Sequence, residues 1–372
     1  MDIISITKYL KDPRREHKRE HSLETIFYIT IAAVLAGAES WYDIEEFGQA
    51  KKEFFSRKIK DFKGVPSHDT FNRLFSILKP ELLESSFRVW IREICGQYKG
   101  VVPIDGKTIC GASEKQDNKS FSKLHIVSAW ASANGITLGQ EKVDEKSNEI
   151  TAIPALIEAL DLVECIVTID AMGCQKKIVE TIIRNKADYV ISLKENQKTI
   201  HQQVIEQFAQ IDNPSKHIPS TRYASYTTEE TGHGRTEKRV YEMYYNGLDL
   251  FREWTGLKSI IRVQSYRKEN ASGVETKDTR YYISSIGLDI QKIANAIRTH
   301  WSIENNLHWQ LDVTFNEDAT RKKKNAAVNF SLLNKIALAM VKKDSSKGSL
   351  KGKRKRAGWE DSFLEKLLEA EF

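Results

Sequence analysis

Three carboxylates stand at positions that suit metal-dependent chemistry. Asp105 closes the apolar stretch "VVPID", Asp170 closes "ECIVTID", and Glu304 lies in "HWSIENNLHW". Two divalent cations, held roughly 3.5 to 4 Å apart by a few carboxylates, activate an attacking hydroxyl and stabilise the leaving oxygen of a phosphodiester. Such hard cations prefer oxygen ligands. We therefore predict that these three residues are both the catalytic and the metal-binding groups, with two Mg²⁺ or Mn²⁺ ions as cofactors.

A purely structural role is open for each aspartate taken alone. An aspartate before a glycine or a small residue is common in turns, and both Asp105 and Asp170 are of this kind. The functional interpretation is favoured for the pair, because each aspartate stands at the end of an apolar strand and the two strands are expected to be neighbours in one sheet. Glu304 would reach the same edge from a later helix.

The helix of Glu304 carries two histidines and two tryptophans at regular spacing. His300, Glu304 and His308 recur every four residues, so they are expected on nearly one helix face. The histidines could orient the glutamate, contact a DNA phosphate, pack, or bind a metal; metal binding is disfavoured because this chemistry needs no imidazole. Trp301 and Trp309 are expected to be core residues that hold the helix against the sheet.

The elements that must position these residues begin at Val101, where apolar residues recur with period two or in continuous runs. The pattern predicts three strands at 101–105, 123–132 and 136–143, followed by helix, strand, helix and strand. This order is typical of a mixed five-stranded α/β sheet, the order of a ribonuclease H-like domain. A β-rich insertion at about 197–285 would precede the last helix.

Three regions follow from the same patterns. Residues 1–99 form a helical N-terminal module, 100–343 a catalytic domain that contains the insertion, and 344–372 a basic C-terminal tail with a short helix. In the first module a turn before Asn72 and Arg73 could belong to a DNA-reading helix-turn-helix. Ordinary helix packing explains the same pattern.

Charge is unevenly distributed along the chain. The net charge is +6, yet the segment from Arg321 to Arg356 has thirteen Lys or Arg residues and one acid. A concentration of this kind suits a polyanion such as DNA, because each neutralised phosphate releases counterions. For the part from Ser345 to Arg356, a solvated and disordered tail is an equal alternative.

Several classes of protein are disfavoured. The four cysteines form no C-x-x-C pair, so neither a zinc site nor a disulfide framework is indicated. The apolar run from Ile26 to Ala38 is shorter than the roughly 20 residues of a membrane helix, so we expect a buried helix, no membrane partner and a cytoplasmic protein.

Candidate DNA contacts lie near the predicted strand ends, in the insertion and beside Glu304. Surface lysines are common, so each assignment is open to a simple surface role. The candidates are Lys107, Lys194, Asn196, His233, Arg235, Arg239, His300 and His308.

The motifs "GVPSHDTFNRLF", "PIDGKT", "TIDAMGCQ", "YVISLKENQ", "TGHGRTEKR" and "HWSIENNLHWQLDVTFNEDATR" resemble those of one known group. It is the H-repeat-associated, ISAs-type insertion-sequence transposases of the DDE superfamily. The resemblance runs from Asp12 to Lys342. It implies a helical N-terminal region, a ribonuclease H-like core, and a triad at Asp105, Asp170 and Glu304.

One departure from a related DDE branch is visible. That branch surrounds its glutamate with a tyrosine, an arginine and a lysine, where this chain has Ile297, His300 and Leu311. The resemblance implies that different residues contact the DNA phosphates here. The 134 positions between Asp170 and Glu304 match relatives that place a β-rich insertion before the last acid.

The function implied by the resemblance is DNA transposition in bacteria. Such an enzyme cleaves at terminal inverted repeats and transfers the freed 3′ hydroxyl to target DNA, acting at least as a homodimer and associating with the nucleoid when bound to DNA. Two alternatives are a metal-dependent nuclease without strand transfer and a DNA-binding protein that has lost catalysis.

Overall fold

The computed structural model describes residues 5–115, 121–144, 148–213, 215, 219, 221–232, 234–245 and 251–369. The chain divides into two compact units. The first comprises Met1–Tyr98, Gly106–Lys146 and Ile303–Phe372, and the second comprises Lys99–Asp105 and Ser147–Ser302.

The described α-helices are, in chain order, α1 (Ser5–Lys8), α2 (Leu23–Ala36), α3 (Trp41–Ala50), α4 (Lys52–Lys58), α5 (His68–Ile77), α6 (Pro80–Cys95), α7 (Glu149–Ala159), α8 (Lys176–Arg184), α9 (Lys198–Ile211), α10 (Ile290–His300), α11 (Trp309–Val313), α12 (Lys324–Lys343), α13 (Leu350–Trp359) and α14 (Asp361–Leu368). The described strands are β1 (Val101–Lys115), β2 (Phe121–Ala131), β3 (Ile136–Lys142), β4 (Ile166–Ile169), β5 (Asp188–Leu193), β6 (Tyr223–Gly232), β7 (Arg235–Tyr245), β8 (Ser259–Glu269) and β9 (Glu275–Ser284). A π turn spans Glu304–His308 and a 3-10 turn spans Glu317–Ala319.

Helix α2 is the centre of the first unit. The Ser22 hydroxyl accepts a hydrogen bond from the Thr25 amide at 3.0 Å and caps its start, and Gly37 ends it in the left-handed region at φ 110°. Almost every residue between these caps is buried, and α12 and α13 pack against it. The sequence prediction of a buried helix here is confirmed.

The basic C-terminal segment is folded into the first unit. Arg354 donates to the Val34 carbonyl at 2.8 Å and also to the Thr314 carbonyl, and its guanidinium lies 3.9 Å from the Phe315 ring centroid. Lys353 pairs with Asp344 at 3.1 Å. The alternative of a disordered tail is therefore wrong, because half of the segment's cations bind carbonyls, carboxylates and rings within its own unit.

A buried polar network links α6, β3 and α12 in the first unit. One Glu84 oxygen accepts a hydrogen bond from the backbone amide of Gln140 at 2.8 Å. The Lys335 ammonium donates to the Gln140 side-chain oxygen at 2.5 Å and to the Ser331 hydroxyl at 3.2 Å. Burial raises the pKa of Glu84 to about 7 and lowers that of Lys335 to about 8. Burial therefore disfavours the charged form of both side chains. Keeping either of them charged in the interior lowers the stability of the fold.

Replacing Glu84 with glutamine is expected to stabilise the fold above pH 7. In the unfolded chain the carboxyl ionises near its usual pKa, whereas in the fold it ionises only near 7, so its cost appears as the pH rises from about 4.5 to 7. Glutamine retains the acceptor for Gln140, and we expect a gain of roughly 1–3 kcal/mol at pH 8 that vanishes below about pH 4.5. Urea unfolding at both pH values measures it, with Glu53→Gln, an exposed residue of α4, as control. Equal stability of Glu84→Gln and the native chain at pH 8 would contradict the assignment.

The sheet follows the order β3-β2-β1-β4-β5-β9-β8-β7-β6 and is mixed. In the second unit β1, β4 and β5 run parallel, and β9, β8, β7 and β6 follow with antiparallel pairing. Over the described residues the sheet thus has nine strands instead of the predicted five, because β9 pairs with β5 and adds the insertion strands to its edge. The insertion also opens with a helix, α9, which the sequence analysis did not predict.

Helix α10 packs on the sheet of the second unit. Its Ile293, Ala294 and Ile297 are buried in one cluster with Tyr241 and Ile261 of the insertion strands. A helix that precedes Glu304 is therefore anchored by apolar contacts within this unit.

No described helix is by itself long and apolar enough to cross a membrane. Only the pair Leu23–Ala36 and Trp41–Ala50 reaches the required length and composition, and the two are bent by 96°.

Candidate active site

The two predicted aspartates follow neighbouring strands of the second unit. Strands β1 and β4 are parallel, with Ile104 opposite Ile169, so Asp105 and Asp170 stand at the next position of each. Neighbouring strands lie about 4.8 Å apart. Both side chains are half-buried. The structure confirms that the first and fourth strands are neighbours, and it gives the two carboxylates the same register at one sheet edge.

Asp170 is held by the turn that it begins. Its Oδ1 accepts hydrogen bonds from the amides of Met172 at 3.0 Å and Gly173 at 3.3 Å. The Asn196 side chain donates to the Ala171 carbonyl at 2.6 Å and fixes the same turn from the end of β5. The carboxylate is thus oriented by backbone groups, and Asn196, a candidate DNA contact, has a structural partner.

Replacing Gly173 with alanine is expected to destabilise the fold by about 1–3 kcal/mol. An added Cβ would lie 2.2 Å from Cγ2 of Ile169, a side chain that is 2% exposed and cannot move freely. Thermal unfolding measures the loss, and Gly232→Ala is the control because its Cβ would meet nothing within 4 Å. Unchanged stability of Gly173→Ala would show that the Asp170 turn adapts.

His300 lies beside the strand of Asp170. Its Nδ1 is 3.1 Å from the Thr168 hydroxyl of β4, in the same unit. Burial lowers the pKa of His300, against the opposing effects of the Asp170 charge and Thr168. A neutral imidazole held on β4 suits orientation of the strand end better than a charge contact with phosphate.

Glu304 begins the π turn of the first unit. Its side chain is 59% exposed, whereas His308 is 7% exposed with Nδ1 3.5 Å from a Glu304 oxygen. Burial lowers the pKa of His308 to about 3, with contributions from Lys335 and Lys107. The imidazole is therefore neutral at physiological pH. It lies on the buried side of the Glu304 carboxylate and restricts its orientation.

The π turn changes which side chains share a helix face, compared with the regular α-helix that the sequence spacing predicts. The Trp309 amide donates to the Glu304 carbonyl, an i→i+5 bond, instead of continuing the α pattern. Trp309 is 53% exposed and Trp301 is 48% exposed. The prediction that both tryptophans are core residues is wrong; Trp301 instead lies under Arg280, whose guanidinium is 5.5 Å from its ring centroid.

Lys107, predicted as a DNA contact, is enclosed by acids of the first unit. Its ammonium is 2.7 Å from Asp312, 3.3 Å from Glu317 and 3.2 Å from Asp318, and its side chain is 10% exposed. Burial alone would lower the pKa of Lys107, but the three carboxylates raise it above its usual value. No local pattern predicts Glu317 and Asp318 as partners of Lys107, because the 3-10 turn that carries them is far from β1 in the chain.

Gly111 shows how closely β1 approaches that turn. A Cβ at Gly111 would lie 2.4 Å from the Thr320 carbonyl oxygen and 2.5 Å from that of Asp318. Both obstacles are backbone atoms of the same unit, so only glycine fits. Lys107 and Gly111 therefore fix β1 to the segment that follows the π turn.

The other predicted DNA contacts differ in accessibility. Lys194 is exposed and Arg235 is half-buried. Arg239 is buried and pairs with Glu230 at 3.3 Å and Glu237 at 2.5 Å. His233 lies outside the described residues. Among the candidates that the structure describes, Lys194 and Arg235 thus combine a positive charge with access to solvent.

Comparison with known proteins identifies the class of protein. The family described as "Transposase DDE domain" matches residues 97–341, and the family described as "DDE_Tnp_1-associated" matches residues 5–91. The chain is a DDE-type DNA transposase. It belongs to the transposase DDE domain family, whose members are metal-dependent.

Two relatives match nearly the whole chain. "Putative transposase YncI" of Escherichia coli O157:H7 is 40% identical over 99% of this chain and 95% of its own length. "H repeat-associated putative transposase YhhI" of Escherichia coli K12 is 38% identical over 99% and 97%. A solved piggyBac transposase synaptic complex with hairpin DNA aligns with 99% of this chain and 78% of its own, at 14% identity and a TM-score of 0.40, too low to support a conclusion. The resemblance to H-repeat-associated insertion-sequence transposases is thereby confirmed.

Proposed function

We propose that this insertion-sequence transposase hydrolyses the phosphodiester at each terminal inverted repeat, frees a 3′ hydroxyl and joins it to target DNA. The observation that carries the proposal is the register of β1 and β4, which gives Asp105 and Asp170 equivalent positions at the carboxyl ends of parallel strands. In a chain of this family, paired strand-end carboxylates suit phosphoryl transfer.

The catalytic region is proposed to be ribonuclease H-like and to run through residues 100–343, between the N-terminal module of residues 1–99 and a C-terminal region of residues 344–372. Support comes from the antiparallel pair β2 and β3 and from the parallel strands β1, β4 and β5, with α7 and α8 as crossovers. The insertion strands β6 to β9 precede Glu304 in the chain.

Asp105, Asp170 and Glu304 are the proposed ligands of two Mg²⁺ or Mn²⁺ ions. The donor set fits: all three are carboxylates, the oxygen ligands that hard cations take, and none is fully buried. Bound ions would supply an activated hydroxyl and stabilise the leaving oxygen.

The chain's own contribution is to hold these carboxylates in one orientation. Two backbone amides fix Oδ1 of Asp170. His300 braces β4 through Thr168, and His308 lies behind Glu304 as a neutral imidazole. Asp170 and Glu304 thus enter the reaction with part of their freedom already removed, which favours catalysis.

DNA contacts are proposed at Lys194 and Arg235, since both carry charge that reaches solvent. Lys107, Asn196 and Arg239 are engaged inside their own units and are proposed to support the fold instead. His233 stays a sequence prediction. Because two transposon ends must be cut and joined, we propose at least a homodimer on DNA.

The test uses purified protein, labelled DNA with the element's ends, a supercoiled target and Mg²⁺. The native chain should cleave the ends and join them to the target, while Glu304→Gln should lose more than about a hundredfold of both, since even the partners of metal ligands cost 10–100-fold. Glu53→Gln, the same exchange at an exposed residue of α4, is the control and should remain active.

The outcomes separate the rival functions. Cleavage without joining would indicate a nuclease, and end-specific binding without cleavage would indicate a decayed, binding-only protein. Equal activity of Glu304→Gln and the native chain would remove Glu304 from the site.

A further inference from the structure

A cavity of about 700 Å³ lies within the first unit, which supplies all of its lining residues. Its walls come from the start of α3, from α5, from residues 315–324 and from the first half of α12. Ligand pockets typically enclose about 300–1,000 Å³, so this one is large enough for a nucleotide. No residue of the proposed triad lines it.

The rim of the cavity is positive. Arg321, Lys323 and Lys324 are exposed and line it at nearly consecutive positions. Within the described ranges Arg321 and Lys323 form no ion pair with a carboxylate. Helix α12 begins here without a side-chain cap, so the partial positive charge of its N-terminus adds to theirs.

The floor of the cavity is aromatic and holds one more cation. Lys322 is 8% exposed, and its ammonium is 3.5 Å from the Phe330 ring centroid and 5.1 Å from that of Trp41. It donates to the Glu39 carbonyl at 2.5 Å. Burial lowers the pKa of Lys322 to about 8, so an arriving anion would also favour its charged form.

The acids in the lining are engaged with other groups. The Asp43 carboxylate accepts hydrogen bonds from the backbone amides of Glu39 at 2.9 Å and Ser40 at 2.8 Å. The Glu39 carboxylate accepts one from the Asn316 side-chain amide at 2.9 Å. Glu317 pairs with Lys107 at 3.3 Å. The charges of Asp43 and Glu39 act on Lys322, and within the described ranges no lining carboxylate forms an ion pair with Arg321 or Lys323.

The remaining wall offers a ring and polar groups to a planar ligand. Tyr42 is 63% exposed and lines the cavity, and its ring is already stacked on His68 at 4.0 Å, which fixes its plane. Asn72 and Ser76 of α5 line the same side. An exposed, fixed ring beside amide and hydroxyl groups is a stacking platform with hydrogen-bonding partners for a base edge.

We propose that this cavity binds one unstacked nucleotide of a DNA strand, with its phosphate at Arg321 and Lys323 and its base against Tyr42. The proposal rests on the proposed function, since it assigns the ligand to the DNA on which a transposase acts. A paired base cannot enter the cavity, because it is held in the duplex stack. A duplex would therefore contact only the rim, whereas a single-stranded end would also fill the interior.

The test is fluorescence anisotropy with full-length protein in EDTA, which makes it independent of cleavage. The probes are a fully paired element end, the same end with a three-nucleotide single-stranded overhang, and free deoxynucleoside monophosphates as competitors. The native chain should bind the overhang DNA roughly tenfold more tightly than the paired end, the effect expected of one stacked base. Monophosphates should compete only at far higher concentration.

Two kinds of variant locate the effect. Ala319→Trp in the 3-10 turn and Ser76→Phe on α5, both exposed, should fill the cavity and remove the preference for the overhang while paired DNA binds normally. Arg321→Ala combined with Lys323→Ala should weaken both DNAs. The controls are Ala133→Trp in the β2–β3 turn and the pair Lys351→Ala and Lys355→Ala on α13, all exposed and outside the cavity.

Three results would overturn the proposal: no preference for the overhang in the native chain, an unchanged preference in both filled variants, or monophosphates that compete as well as DNA. If any of these results occurs in a protein that cleaves and joins DNA normally, nucleotide binding in the cavity is refuted and the transposase function remains. If the cavity-filling variants lose the overhang preference but the native protein never cleaves DNA, nucleotide binding is supported and the transposase function is refuted.

Discussion

Replacing Asp170 with asparagine is expected to lower end cleavage by more than about a hundredfold while DNA binding stays within about threefold of the native chain. Asparagine has the same shape, and its oxygen can still accept the amides of Met172 and Gly173. Only the negative charge is lost, and a hard cation binds an amide oxygen more weakly than a carboxylate. Cleavage of labelled ends in Mg²⁺ and anisotropy in EDTA measure the two quantities.

A cysteine at the same position gives a second, sharper result. A thiolate is a poor ligand for Mg²⁺ and a better one for softer ions, so Asp170→Cys should be inactive in Mg²⁺ and partly restored in Mn²⁺. Asp161→Asn, an exposed aspartate in the same unit, should change neither activity nor metal preference. If Asp170→Asn keeps more than a tenth of native cleavage, Asp170 is a turn residue and not a metal ligand.

The strand-end aspartates could be predicted because their determinants are local in sequence. Val101–Ile104 and Ile166–Ile169 are apolar runs typical of buried parallel strands, and a parallel pair must place the residues after each run at one edge. Likewise Ile26–Leu35 is apolar on all sides, which only a buried helix explains. In these places the pattern of single residues and the fold agree.

The insertion was predicted less well because strand number depends on long-range pairing. Nothing within Glu275–Ser284 shows that it will pair with β5, about 90 positions earlier. Helix α9 was missed although Ile200, Val204 and Phe208 recur at helical spacing and are buried. The alternating residues that follow α9 had favoured strands for the whole segment.

The surroundings of Glu304 were mispredicted for a third reason. The four-residue recurrence of His300, Glu304 and His308 assumes a regular α-helix, and a π turn at Glu304 adds a residue to that turn. Trp309 is therefore exposed instead of buried. A π turn has no sequence signal of its own, because its hydrogen bonds depend on packing along the whole helix.

Replacing Lys107 with methionine is expected to lower the free energy of unfolding by roughly 3 kcal/mol near pH 7, the cost of leaving a buried charge uncompensated. Glu317 is 3% exposed and would retain its charge without the ammonium, whereas Asp312 and Asp318 are more than a third exposed and partly screened by water. Urea unfolding measures the loss. Lys351→Met, which removes an exposed cation of the same unit, should change stability by less than about 0.5 kcal/mol.

The pH dependence distinguishes this role from a contact with DNA. Because the pKa of Lys107 is raised in the fold, its stabilising effect is present at all pH values below about 10 and is lost only as the pH rises above that. The difference in stability between native and variant should therefore persist through pH 7 and shrink as the pH rises above about 10. Arginine at position 107 should restore part of the stability. A Lys107→Met protein as stable as the native chain at pH 7, but weaker in DNA binding, would return Lys107 to the role of a phosphate contact.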